Sequence, residues 1–246
     1  MKKLIKSFTP YQIIYLAAVF VLTAAFVIFL PDLMLDDTSN VFVLVCSVIA
    51  TLANPVCELL ISKQSRMNFI VDILFIEIPE AVVCLWNGWY AILVATLVFW
   101  IPIDILSFIR WKKNMDETEE EKTVVRRLPW VYDILIVIGI TAFAFLVGTG
   151  LNAIPGASES YLDALAAAFG MANGILLMLR LSEQWYAWFI TLVLYAILYT
   201  VSGSYILLIT VAAMFVNTVY GFVKWLVYTK KHGKVVVIGR KGNRET

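Results

Sequence analysis

The chain has 246 residues, of which 61% are apolar and only 15% charged, and its mean hydropathy is +0.86. This composition excludes an ordinary soluble globule, because a chain of this size could not bury so many apolar side chains and still present a wettable surface. The formal net charge of +1 does not distinguish between classes of protein. The positions of the 19 basic residues along the chain are more informative, because they indicate which side of a membrane each loop occupies.

Apolar stretches of about 20 residues, long enough to cross a hydrocarbon core of about 30 Å, recur along the chain. The third stretch is the weakest, because Asp72, Glu77, Pro79 and Glu80 interrupt it. The pattern predicts an all-α membrane protein with eight transmembrane helices, at about 11–31, 41–61, 68–86, 90–111, 130–151, 160–179, 184–201 and 205–228.

The charges are distributed asymmetrically between the two sides of this arrangement. With eight spans, every Lys and Arg falls in the loops and ends on one side, whereas the opposite loops carry acids, among them Asp36 and Glu159. Because basic residues stay on the cytoplasmic side, both termini are predicted to be cytoplasmic. Without the third span, the basic loop 110–127 would lie outside, so the charge distribution supports that span.

Short loops and bare helices favour a multi-pass protein of a bacterial inner membrane. The three cysteines all lie in apolar spans and indicate neither a disulfide framework nor a metal site.

The tail after Tyr228 is basic, and attraction to anionic lipid headgroups explains this charge without nucleic acid. The charged loop 112–128 is most simply a solvated linker. No metal or cofactor is expected.

Two three-helix blocks resemble each other along the chain. Ser107-Phe-Ile-Arg-Trp111 ends the fourth span as Gly221-Phe-Val-Lys-Trp225 ends the eighth. The pattern predicts parallel repeats with a substrate path between them, because repeats are a common plan of transporters. The expected parts are an N-terminal extra helix and loop (1–40), a first three-helix bundle (41–111), a charged loop with a linker helix (112–159), a second three-helix bundle (160–228) and a basic cytoplasmic tail (229–246).

Acidic residues inside the spans are the first functional signal, because each costs about 3 kcal/mol to insert. Glu58, Asp72 and Asp163 lie near span ends, where solvent or a helix terminus can satisfy them. Glu77 and Glu80 are deeper, and so is Asp104.

Asp104 follows Trp100 by one turn, with Pro102 loosening the helix between them. A carboxylate beside an aromatic ring at such a kink can bind a polar ring. The alternative is a packing kink with a buried protonated acid.

A second signal is an aromatic stripe in the seventh span. Trp185, Trp188, Tyr195 and Tyr199 share one helical face. Such a stripe is either packing, an interfacial belt or the wall of a binding site, and the belt explanation suits Trp185 but not the deeper residues. Asn173 and Asn217 add amide groups, which serve either a ligand or helix–helix hydrogen bonds.

Three segments together resemble the PnuC-type nicotinamide riboside transporters: Arg180-x-x-Glu183-Gln-Trp185-x-x-Trp188, Tyr220-Gly-Phe-Val-Lys-Trp225, and Trp100-Ile-Pro-Ile-Asp with the residues that follow to Asn114. The likeness covers about residues 41–228. It implies a SWEET-like fold, facilitated diffusion of a vitamin or nucleoside without ion coupling, and a homotrimer. Trp185 and Trp188 match the tryptophan pair that stacks the aromatic base in that family.

This sequence departs from the family pattern at its polar contacts. Positions with typical amides or small residues in the family hold other side chains here, namely Asp72, Phe75, Glu77, Glu80, Asp104, Gly174 and Leu192. Loss of amides and gain of carboxylates favours a cationic or donor-rich ligand, because a desolvated acid needs such a partner.

The resulting hypothesis is a uniporter for a small-molecule substrate, nicotinamide riboside by default, with thiamine, deoxynucleosides or riboflavin as alternatives. Trp185 and Trp188 would stack the ring, and Asp104, Asn173 and Asn217 would contact polar atoms. The other candidate lining residues are Trp100, Glu77, Glu80, Tyr195 and Tyr199. A partner-binding membrane subunit is the second alternative. An intramembrane enzyme is disfavoured, because no nucleophile elbow or histidine-based metal set occurs.

Overall fold

A computed structural model of the chain describes residues 9–30, 40–62, 67–113, 125–178, 181–232 and 235–237. Within these ranges eight helical rods follow one another, close to the predicted bounds. They are α1 (Pro10–Phe29), α2 (Val41–Ser62), α3 (Met67–Asp72, Ile73–Glu77 and Ile78–Asn87), α4 (Tyr90–Ala95, Thr96–Trp100 and Ile101–Lys113), α5 (Trp130–Leu151), α6 (Ser160–Met178), α7 (Gln184–Val201) and α8 (Leu207–His232).

The outer surface of these helices is apolar. Five helical stretches are long and apolar enough to cross a membrane: α1, α5, α7, Val41–Leu60 of α2 and Tyr90–Ile109 of α4. Large side chains such as Phe29, Val98 and Leu146 are more than two-thirds exposed. Because water does not stabilise a contiguous apolar exterior of this extent, its solvent is lipid. The chain is a helical membrane protein.

Two of the rods change pitch ahead of a proline. Ile73–Glu77 in α3 and Thr96–Trp100 in α4 are π-helical, and Pro79 and Pro102 follow these segments by two residues each. Proline offers no N–H to the carbonyl four residues before it, so the backbone can take the wider i→i+5 pattern there. The expected loosening around Pro102 takes this form. Glu77 and Trp100 are the last residues of the two widened turns.

The contacts between rods follow a symmetrical pattern. We call α2, α3 and α4 the first bundle and α6, α7 and α8 the second. The first helix of each bundle packs against the last helix of the other, since α2 contacts α8 and α4 contacts α6. The central core includes residues from both of these helix contacts. Among them are Val43 on α2, Ile92 on α4, Ala166 on α6 and Val211 near the start of α8. α1 packs on α2 and α8, and α5 packs on α6.

The turns that end α3 and α7 have the same backbone shape. Gly88 follows α3 with φ 71°, and Gly203 follows α7 with φ 74°, a left-handed conformation that glycine adopts without steric cost. The two turns lie together, because the Asn87 amide donates to the Ser204 hydroxyl at 3.3 Å. This contact joins the bundles at one end of the molecule.

Gly88 is also where the loop after α5 docks, since its carbonyl accepts a hydrogen bond from Ser158 N at 3.0 Å. A Cβ at Gly88 would overlap the carbonyl oxygen of Gly156. We expect Gly88→Ala to lower the free energy of unfolding by about 2–5 kcal/mol, from left-handed strain and overpacking together. Denaturant unfolding of the purified protein measures this.

Gly139→Ala is the matched control, because a Cβ at Gly139 in α5 has nothing within 4 Å. Alanine there should leave stability unchanged or slightly raised, as in any helix interior. Equal stability of the two variants would contradict the tight docking of the Gly88 turn.

One short sheet departs from the all-α expectation. Two three-residue strands, β1 (Val125–Arg127) and β2 (Val235–Val237), pair in parallel. The prediction for these residues was a solvated linker (112–128) and the basic tail after Tyr228, with no strand in either. Glu183 holds the end of β1, because its Oε1 accepts from Leu128 N at 2.9 Å and lies 3.9 Å from Arg127 Nε. The rest of the tail, 238–246, and residues 114–124 of the loop lie outside the described residues.

Candidate transport site

Aromatic side chains from both bundles converge where α4, α6 and α7 meet. Trp100, Trp188 and Tyr195 pack against the central core, which contains Trp89 and Tyr199. The rings of Tyr195 and Tyr199 stack with centroids 5.5 Å apart, and the ring of Trp89 lies 5.4 Å from that of Tyr199. We call these five residues the aromatic group. The part of the predicted face of the seventh span that carries Trp188, Tyr195 and Tyr199 thus packs at the central core.

Two glycines of α6 let Trp100 lie directly on the helix backbone. A Cβ at Gly174 would be 2.8 Å from Cη2 of Trp100, and a Cβ at Gly170 would be within 4 Å of both Trp100 and the Tyr195 hydroxyl. Any side chain larger than that of glycine at position 174 would therefore collide with Trp100. The indole occupies the room that a larger side chain on α6 would need.

One acid on α3 lies within electrostatic range of these rings. Glu80, on α3, is close enough to interact electrostatically with the phenol groups of both Tyr195 and Tyr199. It is half-buried, in a helix whose widened π turn ends at Glu77. The combination of flat apolar rings and a nearby acid suits a ring-shaped solute that carries positive charge or hydrogen-bond donors.

Three further acids form a separate cluster beside Trp100. Oxygen atoms of Asp72, Glu77 and Asp104 all lie within 4.8 Å of one another. Glu77 is 5% exposed and Asp104 7%, and Glu77 Oε2 and Asp104 Oδ2 have no hydrogen-bond partner. We call these three residues the acid cluster. It joins α3 to α4 one helical turn from the aromatic group.

The other predicted site residues lie apart from the aromatic group. Trp185 packs on Phe222, with ring centroids 6.2 Å apart, and its ring fills the space beside Gly221. Asn217 donates to Glu58 Oε2 at 2.6 Å, which links α8 to α2. Asn173 is buried on α6, next to the glycine that faces Trp100.

Two residues with roles at this interface were not among the predicted site residues. Asp163 is fully buried at the start of α6, and its two carboxylate oxygens accept from Ala91 N at 2.7 Å and Ile92 N at 2.9 Å. The interpretation of Asp163 as an acid bonded to a helix terminus is confirmed, but that terminus belongs to the other bundle. Trp89 is buried directly after Gly88, and a tryptophan that follows a turn glycine was the signal for it.

Within the described residues, the centre of the molecule holds rings and acids between two helical bundles whose outer faces are apolar. Polar and aromatic groups inside a membrane-spanning bundle are typical of transporters. The chain belongs to the nicotinamide mononucleotide transporter family, whose model matches residues 44–227. It is therefore a membrane transporter and not an enzyme.

Relatives of known function cover nearly the whole chain. A nicotinamide riboside transporter PnuC of Neisseria mucosa is 23% identical over 94% of this chain and 86% of its own length. A protein of the same name from Haemophilus influenzae is 21% identical over 94% of this chain and 96% of its own length. The crystal structure of the vitamin B3 transporter PnuC superposes with a TM-score of 0.67, at 20% identity, over 92% of this chain and 94% of the other. The fold is thus shared.

Proposed function

We propose that this protein carries nicotinamide riboside, or a closely related aromatic vitamin or nucleoside, across the membrane by facilitated diffusion. The observation that carries the proposal is the aromatic group at the interface of the bundles, with Glu80 within electrostatic range of Tyr195 and Tyr199. Stacking on such rings is worth about 1–3 kcal/mol per base. The pyridinium ring of nicotinamide riboside is cationic, so Glu80 favours it over a neutral ring of the same size.

The names of the two relatives support the same substrate. In this proposal Trp188 and Trp100 face the ring, while Tyr195 and Tyr199 hold the opposite side. Asn173 contacts polar atoms of the solute, whereas Asp104, which the sequence also suggested for this role, belongs to the acid cluster. Trp185 and Asn217 act at the edge of the site, since their present contacts are with Phe222 and Glu58.

The transport path runs between two parallel three-helix repeats of SWEET-like arrangement, 41–111 and 160–228, with the helix of 112–159 as linker. The reciprocal contacts of α2 with α8 and α4 with α6 support this symmetry, as do the matching glycine turns. Rocking of one bundle against the other would expose the site to each side in turn.

Eight spans with both termini in the cytoplasm agree with the positive-inside distribution of the basic residues. We place the protein in the bacterial inner membrane, and the resemblance to the family favours a homotrimer there. The partners are then the solute and the lipid bilayer, with no nucleic acid.

Uptake of radiolabelled nicotinamide riboside into liposomes that contain only the purified chain tests the proposal. We expect accumulation to stop when the inside and outside concentrations are equal, with no ion gradient applied. Unlabelled nicotinamide riboside should compete best among a panel with thiamine, deoxynucleosides and riboflavin. A requirement for an ion gradient would exclude uniport, and a folded protein for which no panel member competes would exclude the substrate class. Uptake only in the presence of a second protein would instead indicate a partner-dependent subunit.

A further inference from the structure

The acid cluster is not explained by binding of an aromatic solute. Its three carboxyl groups come from α3 and α4, and one oxygen of each lies within 4.8 Å of the other two. Glu58 and Glu80 add negative charge nearby. Among the side chains that the structure describes, the one cationic group is Arg127, which lies at Glu183. The described part of the chain therefore provides no positive side chain for the cluster.

Shared protons satisfy only part of this arrangement. A proton can bridge Asp72 to Asp104, yet Glu77 Oε2 and Asp104 Oδ2 still have no partner although both residues are more than nine-tenths buried. A buried polar oxygen without a partner costs about 1–3 kcal/mol. One proton links one pair of carboxyl oxygens, so it leaves the third group without a partner.

A metal ion can bind all three carboxyl groups at once. Three oxygens no more than 4.8 Å apart lie at most about 2.8 Å from a common centre, close to the Ca²⁺–oxygen distance of about 2.3–2.6 Å. Mg²⁺ holds its oxygen ligands at about 2.1 Å, in a more regular geometry than Ca²⁺ and with several waters retained. An aromatic ring cannot occupy the centre between these oxygens, because its atoms stay about 3.5 Å from neighbouring atoms. A pyridinium nitrogen also has no proton to donate.

Charge selects the valence of the ion. Three ionised carboxylates carry three negative charges. A divalent cation neutralises two of these charges, in a buried site where uncompensated charge is costly. Carboxylates are also the ligands that such hard cations prefer, and each can bind through one or both oxygens.

We propose that Asp72, Glu77 and Asp104 form a divalent-cation site that ties α3 to α4, with a preference for an ion of the size of Ca²⁺. The site goes beyond the proposed transport function, because the ion stays with the protein and does not travel with the solute. It sits where the widened turn of α3 ends, at Glu77, and one turn beyond Trp100. The ion thereby holds the part of α4 that presents Trp100 to the aromatic group.

Isothermal titration calorimetry of the full-length purified protein, stripped with EDTA and without any solute, tests the site. We expect CaCl₂ to give saturable binding, MgCl₂ to bind at least tenfold more weakly, and NaCl at equal ionic strength to give no saturable heat. Glu77→Gln, which keeps the shape and removes the charge, should weaken Ca²⁺ binding at least tenfold, and Asp104→Asn should do the same. Glu159→Gln is the matched control, because Glu159 is exposed in a loop far along the chain from the cluster.

Thermal unfolding gives an independent reading, since an ion that binds only the folded protein stabilises it. Ca²⁺ should raise the melting temperature of the wild type and of Glu159→Gln, but not that of Glu77→Gln. Absence of both saturable heat and stabilisation in the wild type would overturn the proposal, as would Ca²⁺ binding that survives both cluster substitutions. Because no solute is present, neither result bears on nicotinamide riboside transport.

Discussion

Replacement of Trp188 by leucine is expected to reduce uptake of nicotinamide riboside, at concentrations below saturation, by about 5- to 150-fold. Leucine keeps an apolar side chain against the central core but removes the flat ring on which the solute would stack. Loss of about 1–3 kcal/mol of stacking corresponds to a reduction of that size. Trp188→Phe should recover part of the activity, because it restores a smaller ring. Initial uptake rates in liposomes measure the effect.

Trp185→Leu is the matched control for this experiment. It makes the same chemical change on the same helix, one turn away, where the indole lies on Phe222 and beside Gly221 instead of in the aromatic group. We expect its uptake to fall less than threefold. Equal losses in the two variants, with both proteins folded, would show that the aromatic group does not bind the solute.

Asp163→Ala should have the largest effect on stability. The substitution leaves Ala91 N and Ile92 N without an acceptor in the buried interface between α4 and α6. These are first-turn amides of a helix, so no backbone carbonyl of α4 can replace the carboxylate. At about 1–3 kcal/mol for each unsatisfied donor, the free energy of unfolding should fall by about 2–6 kcal/mol. Denaturant unfolding in mixed micelles measures it.

Asp163→Asn keeps one acceptor oxygen and should lie between the wild type and Asp163→Ala. Glu159→Ala, four residues earlier in an exposed position, should change stability little. If Asp163→Ala and Glu159→Ala unfold at the same denaturant concentration, the carboxylate does not hold the two bundles together.

The aromatic face of α7 shows what helical periodicity could predict and what it could not. Trp188, Tyr195 and Tyr199 were assigned to one face from their spacing, and the structure places all three at the central core. Trp185 is on the same face by spacing but packs on Phe222 at one end of α7. Helical spacing predicts which side chains share a face of the helix. It does not predict which neighbouring helix each of these side chains contacts.

The contacts of the polar residues, by contrast, could not be predicted from their spacing along the chain. Asn217 and Glu58 are 159 positions apart, yet they form a 2.6 Å hydrogen bond. Asp72 and Glu77 lie on one helix and Asp104 on another, and only the folding of α3 against α4 brings their oxygens together. Nothing in the spacing of these residues along the chain predicts either contact.

Helix positions, the membrane environment and the family resemblance could be read from the order of residues alone. The reason is that transfer of a segment into lipid is a sum over its own side chains, which needs no knowledge of neighbours. The partners of Asp163, the convergence of the acid cluster and the place of Trp100 against Gly174 were decided by tertiary packing. Each of these depends on which surfaces of distant helices meet, and hydropathy or charge summed along a single helix does not contain that information.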